Sequence, residues 1–170
     1  MKKIMMTTVL LLTVVMGLQA QSLDGYWMAV EKQDNVAMSI VLYFNGQDNI
    51  VQSVYSEIDD ESVGTIGVAF VAQDIPFKRK GNTLTFNFDA NKMLVLIRKT
   101  EWNEQVKQKI ADNPELEDQL KQAYMNGFQQ QKSGMAEAML HGDIKIVEIT
   151  DTKLSLEFDD EVYDFEKQTD

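Results

Sequence analysis

Two blocks of this chain, residues 23–99 and 143–167, alternate apolar and polar side chains with a period of two, a pattern that admits little besides antiparallel strands with one buried face. From Val36 to Phe44 it places Val36, Met38, Ile40, Leu42 and Phe44 on one side, and Asn45-Gly46 then offers the left-handed conformations of a tight turn. Leu84, Phe86 and Phe88 alternate with Thr83, Thr85 and Asn87 after Gly81-Asn82, as Leu154, Leu156 and Phe158 do with Lys153, Ser155 and Glu157. A last strand, Val162 to Lys167, follows the acidic turn Asp159-Asp160-Glu161. Less regular strands are expected over 24–32, 49–58, 63–73, 75–80, 92–99 and 143–150, where phase shifts predict bulges or curvature. Gly64 and Gly67, with Ala69 close behind, strip bulk from one strand, as happens where a sheet bends.

Residues 101–141 break the pattern. Apolar positions move to helical spacing, Trp102, Val106 and Ile110, then Leu116, Leu120, Tyr124 and Phe128, each set repeating at i, i+4. Asn113-Pro114-Glu115 divides them, with Asn113 suited to an N-cap, Pro114 to a first helical position and the early acids to the positive helix end. The spacing predicts two helices, with Gly134 ending or bending the second and Met135, Ala136, Met139 and Leu140 making a short third turn before His141-Gly142. The expected fold is all-β and mainly antiparallel, a barrel or sandwich of about 8–10 strands with a helical insertion at about 101–141, because closure or layering removes exposed strand edges.

The first residues read differently. Lys2 and Lys3, the apolar run Ile4 to Met16 and the exit Gly17-Leu18-Gln19-Ala20 have the order of a cleavable secretory signal peptide, so 1–20 is expected to be a leader and 21–170 one domain. The run is shorter than the roughly 20 apolar residues that cross a bilayer, and no permanent membrane anchor is expected. A leader of this kind predicts a periplasmic or extracellular location. Cysteine is absent from the 170 residues, so no disulfide is available and the fold rests on packing. The formal charge is −11, and loss of Lys2 and Lys3 makes the remainder more acidic still. Nucleic acid and anionic membranes are poor partners for such a chain, since its one tight basic cluster, Lys78-Arg79-Lys80, sits against a Gly-Asn turn. A basic protein or peptide is electrostatically compatible.

Three stretches add a family resemblance. Leu23-Asp24-Gly25-Tyr26-Trp27 carries a Gly-x-Trp triplet, Lys80 through Phe86 has the form of a mid-chain hairpin, and Leu154-Ser155-Leu156 through Tyr163-Asp164-Phe165-Glu166-Lys167 that of a closing hairpin. On these residues the chain resembles the lipocalin-like (calycin) superfamily, especially the compact lipocalin-like domains exported by bacteria. The resemblance implies an up-and-down barrel whose first strand begins at Gly25, with Trp27 plugging the closed end. It also implies a cation over the indole, Lys167 first and Arg98 second, and a mouth open to a small apolar ligand. The long helical region before the last strands departs from the family pattern, and the roles of lid, outer layer and plug are all open to it.

No catalytic constellation emerges. His141 is the only histidine, which rules out a His-rich metal site, and its place before Gly142 suits bonding to the last carbonyls of a helix. There is no Gly-x-Ser-x-Gly elbow and no glycine-rich phosphate loop. Asp59-Asp60-Glu61 and Asp159-Asp160-Glu161 fall at turns and lack the ligand spacing and central glycine of a calcium loop. No enzymatic activity, metal or cofactor is expected. The expected function is binding of a small hydrophobic ligand among Met38, Ile40, Phe70, Phe86 and Phe88, under a helical lid that supplies Tyr124, Phe128 and Met139. The alternative is a protein-interaction module, an inhibitor or assembly factor, with a filled barrel and an exposed helical surface. An open interior of roughly several hundred Å³ favours the first, and a packed interior with apolar surface favours the second.

Overall fold

The computed structural model describes residues 21–169 apart from 34, 35 and 47, and the leader expected over 1–20 lies outside them. Strands β1 (Gly25–Gln33), β2 (Val36–Phe44), β3 (Asn49–Asp60) and β4 (Gly64–Lys80) form an antiparallel meander. After them come β5 (Thr83–Phe86), a 3-10 turn (Ala90–Lys92) and β6 (Leu94–Trp102). Two helices, α1 (Glu104–Asp112) and α2 (Glu115–Ala138), lead into β7 (Gly142–Ile149), β8 (Lys153–Phe158) and β9 (Glu161–Gln168). Pairing runs β1-β2-β3-β4-β5-β7-β8-β9 and returns from β9 to β1, an eight-stranded, closed antiparallel barrel. β6 lies beside that ring, paired with the first half of β4, while the second half of β4 holds β5.

The period-two alternation builds the wall. Across the first four strands Trp27, Leu42, Gln52 and Ala72 form one inward row in register, and Ala29, Ile40, Val54 and Phe70 the next. All of these side chains are buried, while Tyr26 and Tyr43 stack outside with ring centroids 4.2 Å apart. The start of β4 requires glycine: Gly64 sits at φ 125°, and a Cβ there would collide with the Glu101 carbonyl of β6. Gly67, farther along, leaves the space that the Tyr55 hydroxyl occupies.

Several boundaries differ from the sequence expectation. The strands expected at 63–73 and 75–80 are one, because Asp74 at φ 52° absorbs the phase shift without breaking the strand. Phe88 lies beyond the end of β5. Trp102 ends β6 opposite Gly64 instead of opening a helix; both readings bury it, and pairing with β4 decides between them. Asn113 caps the C-terminus of α1, and Pro114, already helical, stands at the N-cap of α2. Gly134 lies inside α2, at a cost of about 1 kcal/mol that the packed residues of the helix offset. The third helical turn does not form, since Met139 is extended and the chain leaves α2 for the barrel. Among the described residues no helix is long and apolar enough to cross a membrane.

Trp27 closes one end of the barrel. Its side chain has no solvent exposure, its indole N–H donates to the Leu23 carbonyl at 2.6 Å, and Lys167 Nζ lies 5.0 Å from the ring centroid. Arg98 sits on β6. Trp27→Ala is expected to lower the unfolding free energy by about 4 kcal/mol in urea titrations, and Lys167→Ala by about 1 kcal/mol. A near-neutral Trp27→Ala would contradict the plug.

Candidate functional site

The helices are anchored at the end of the barrel opposite Trp27. Asn103 accepts the Val106 amide with Oδ1 at 2.9 Å, donates from Nδ2 to the Glu61 carbonyl at 3.0 Å, and its own amide donates to the Val63 carbonyl at 2.8 Å. One N-cap residue thus ties α1 to the β3–β4 turn. The Trp102 indole donates to Glu117 Oε1 at 3.4 Å, and Lys121 pairs with the same carboxylate at 2.7 Å. From there α2 lays Phe128 edge-on against Phe70, with centroids 6.5 Å apart.

The chain then turns inward. Met139 and Leu140 are buried almost completely, among the interior side chains of the barrel. Gln52, on the inward face of β3 and with no exposure, meets the Leu140 backbone. The Leu140 backbone assigns the amide orientation: the nitrogen donates to the Leu140 carbonyl at 3.1 Å and the oxygen accepts from the Leu140 N–H at 2.8 Å. A buried amide without partners costs several kcal/mol, so this pair of bonds fixes where the segment runs. His141 follows, with Nδ1 2.7 Å from the Met139 carbonyl and its ring against Phe158.

The residues expected to line a ligand pocket divide into groups. Phe70, Phe128 and Tyr124 come together where α2 meets the barrel. Phe86 belongs to a separate aromatic group with Phe44 and Phe77. Ile40 and Met139 are buried core, Met38 is half-buried against it, and Phe88 borders a crevice of about 20 Å³ beside Ala72 and Ile75. Larger clefts lie outside the barrel. One of about 670 Å³ separates residues 96–100 of β6 from Asp118, Lys121, Gln122 and Met125 of α2. Another, of about 350 Å³, lies on the Ile58 side of α2 between Ile58, Tyr124 and Phe128. Among the described residues no group of three metal-ligating side chains converges.

Gln52 and Leu140 were missed in the sequence reading, as was the edge position of β6. Gln52 did leave a signal, as a polar residue set between Ile50 and Val54 on the inward strand face.

On the outer wall near the larger cleft, Glu57 gathers two donors. The Tyr55 hydroxyl donates to it at 2.8 Å, and Lys99 Nζ lies 3.3 Å away. The bond from Tyr55, assisted by Lys99, holds the Glu57 carboxyl below its ordinary range, whereas burial, with the bond to Glu57, raises the Tyr55 phenol. The bond to Glu57 also raises Lys99.

Compared with protein-family models, with curated proteins and with solved structures, the chain matches none.

Two outcomes are expected. Gln52→Leu leaves the Leu140 N–H and carbonyl unpartnered in the interior; stability should fall by about 2 kcal/mol, with faster hydrogen exchange at the Leu140 amide. Unchanged exchange there would contradict the assignment. The Glu57 carboxyl titrates lower folded than unfolded, so its stabilisation is fully present above the unfolded value and is lost as pH falls through the folded one. Urea midpoints should therefore drop over that acid range in the parent protein and drop less in Glu57→Gln; parallel curves would contradict the cluster.

Proposed function

We propose that this chain is an exported, non-enzymatic binding protein of lipocalin-like architecture that engages a protein partner with the outside of a filled barrel. The observation that carries this reading is the placement of Met139 and Leu140 in the interior, held by Gln52. A barrel of eight strands is just wide enough for side chains to fill it or for one small ligand to be held. Here Trp27, Leu42, Phe44, Phe70 and Phe86 are each exposed by no more than 2 %, and the chain's own segment adds two more apolar residues. These buried side chains compete with a carried ligand for the interior, which favours the partner reading.

The outer surface carries apolar side chains on several strands. Tyr26, Val30, Leu94, Val147 and Val162 are exposed by 45–55 %, and α2 stands between two clefts. Non-enzymatic action accords with the surroundings of His141, whose ring is engaged by the Met139 carbonyl and Phe158.

A second reading, carriage of a small hydrophobic molecule, draws on the cleft beside Ile58, where Tyr124 and Phe128 offer apolar surface. It requires that cleft, and not the barrel interior, to hold the ligand.

The test places a photoreactive amino acid at Gln122 on α2, and separately at Thr152 in the β7–β8 turn, in the protein expressed in its own host. A protein adduct from position 122 and none from position 152 is expected. If position 122 yields no protein adduct while the purified chain takes up fatty acids or hydrophobic dyes at one molecule per chain, the carrier reading replaces the partner reading.

A further inference from the structure

Closure of the ring through β5 and β7 leaves β6 with one edge on β4 and another edge that no strand meets among the described residues. The peptide groups along such an edge are a row of donors and acceptors that another strand completes. Proteins commonly blunt an edge with a covering helix, a bulge or charge, and each device here is incomplete. α2 packs against β6, with the Trp102 indole on Glu117, but leaves beside residues 96–100 a cleft of about 670 Å³ that it does not fill. The bulge is confined to Arg98, the extra residue between the pairs Ile97 with Val68 and Lys99 with Gly67, so regular strand continues on both sides. As for charge, Lys99 is taken by Glu57 and Glu101, and Lys121 by Glu117. Arg98, in the same cleft, pairs with no carboxylate among the described residues; Asp118, on the facing wall of α2, is the cleft's carboxylate and forms no ion pair with it.

We propose that the free edge of β6 is a β-augmentation site for an extended peptide strand that carries a carboxylate opposite Arg98. Main-chain bonds to β6 provide affinity, and Leu96 and Met125 provide an apolar wall for alternate side chains. The planar guanidinium of Arg98 selects the carboxylate, from an acidic side chain or a chain terminus, by paired hydrogen bonds. A second copy of this chain suits the edge poorly, because antiparallel pairing of β6 with itself brings the cations at 98 and 99 of both copies together. The proposal rests on the partner reading above and names the chemistry of that partner.

The test pans the full chain against a displayed library of random peptides of about ten residues, a common strand length. Enriched peptides are then synthesised with free backbones and with alternate amides N-methylated, and binding is followed by anisotropy and by hydrogen exchange of the protein. Enriched peptides are expected to be poor in proline, with Asp, Glu or a free C-terminus at one fixed position. Their affinity should fall about tenfold or more on N-methylation and again in Arg98→Glu, but not in Lys80→Glu. Exchange should slow along β6. Peptides indifferent to both N-methylation and Arg98→Glu, or protection on another strand, overturn the edge assignment and leave the partner reading standing. No enrichment over a blank surface, with no protein adduct from position 122, overturns both.

Discussion

The Gln52 side chain is the constraint on which the interior depends. An amide enclosed in an apolar barrel must find a donor and an acceptor, and the Leu140 backbone supplies both. That pairing draws Met139 and Leu140 indoors and sets the start of β7 at Gly142, which takes φ 69° to make the turn. It also explains the path of the helices: α2 must end where its chain can pass inside, so it lies against the barrel end with Phe128 on Phe70. The helical region therefore serves partly as cover and partly as filling.

With the interior occupied, the two ends of the barrel do different work. At one end Trp27 is locked by the Leu23 carbonyl and overlaid by Lys167, a combination that seals and orients the first strand against the last. At the other end polar contacts do the joining, through Asn103, Trp102 and Glu117. These part-buried and exposed bonds fix geometry, each at a modest net gain in stability. The surface around α2 is thus defined in shape without being sealed, with a cleft on either side of the helix.

Most of the wall was legible in the sequence, because alternation over Met38 to Phe44, Leu84 to Phe86 and Leu154 to Phe158 reports directly which side of a strand is buried. The helical block was equally plain from its spacing. Boundaries failed where tertiary pairing overrode local pattern: Trp102 satisfies both a strand and a helix register, and Asp74 shows that a left-handed residue need not end a strand. The aromatic positions were identified as inward or capping surface, but whether they enclose space or touch one another depends on Leu140, whose apolar side chain says nothing of a backbone bonded to Gln52. β6 looked like one more wall strand because an edge is a property of topology. Like β4, its one paired strand, it carries apolar residues on both faces, which does not mark an edge.

The most direct measurement of the central claim, that the barrel is filled by its own chain, is native mass spectrometry of the protein purified from its own host, followed by organic extraction. The account predicts the mass of the polypeptide alone and no released apolar molecule. A stoichiometric apolar adduct whose removal speeds hydrogen exchange at Gln52 and Leu140 would contradict it, because such a molecule would occupy the space assigned to Met139 and Leu140.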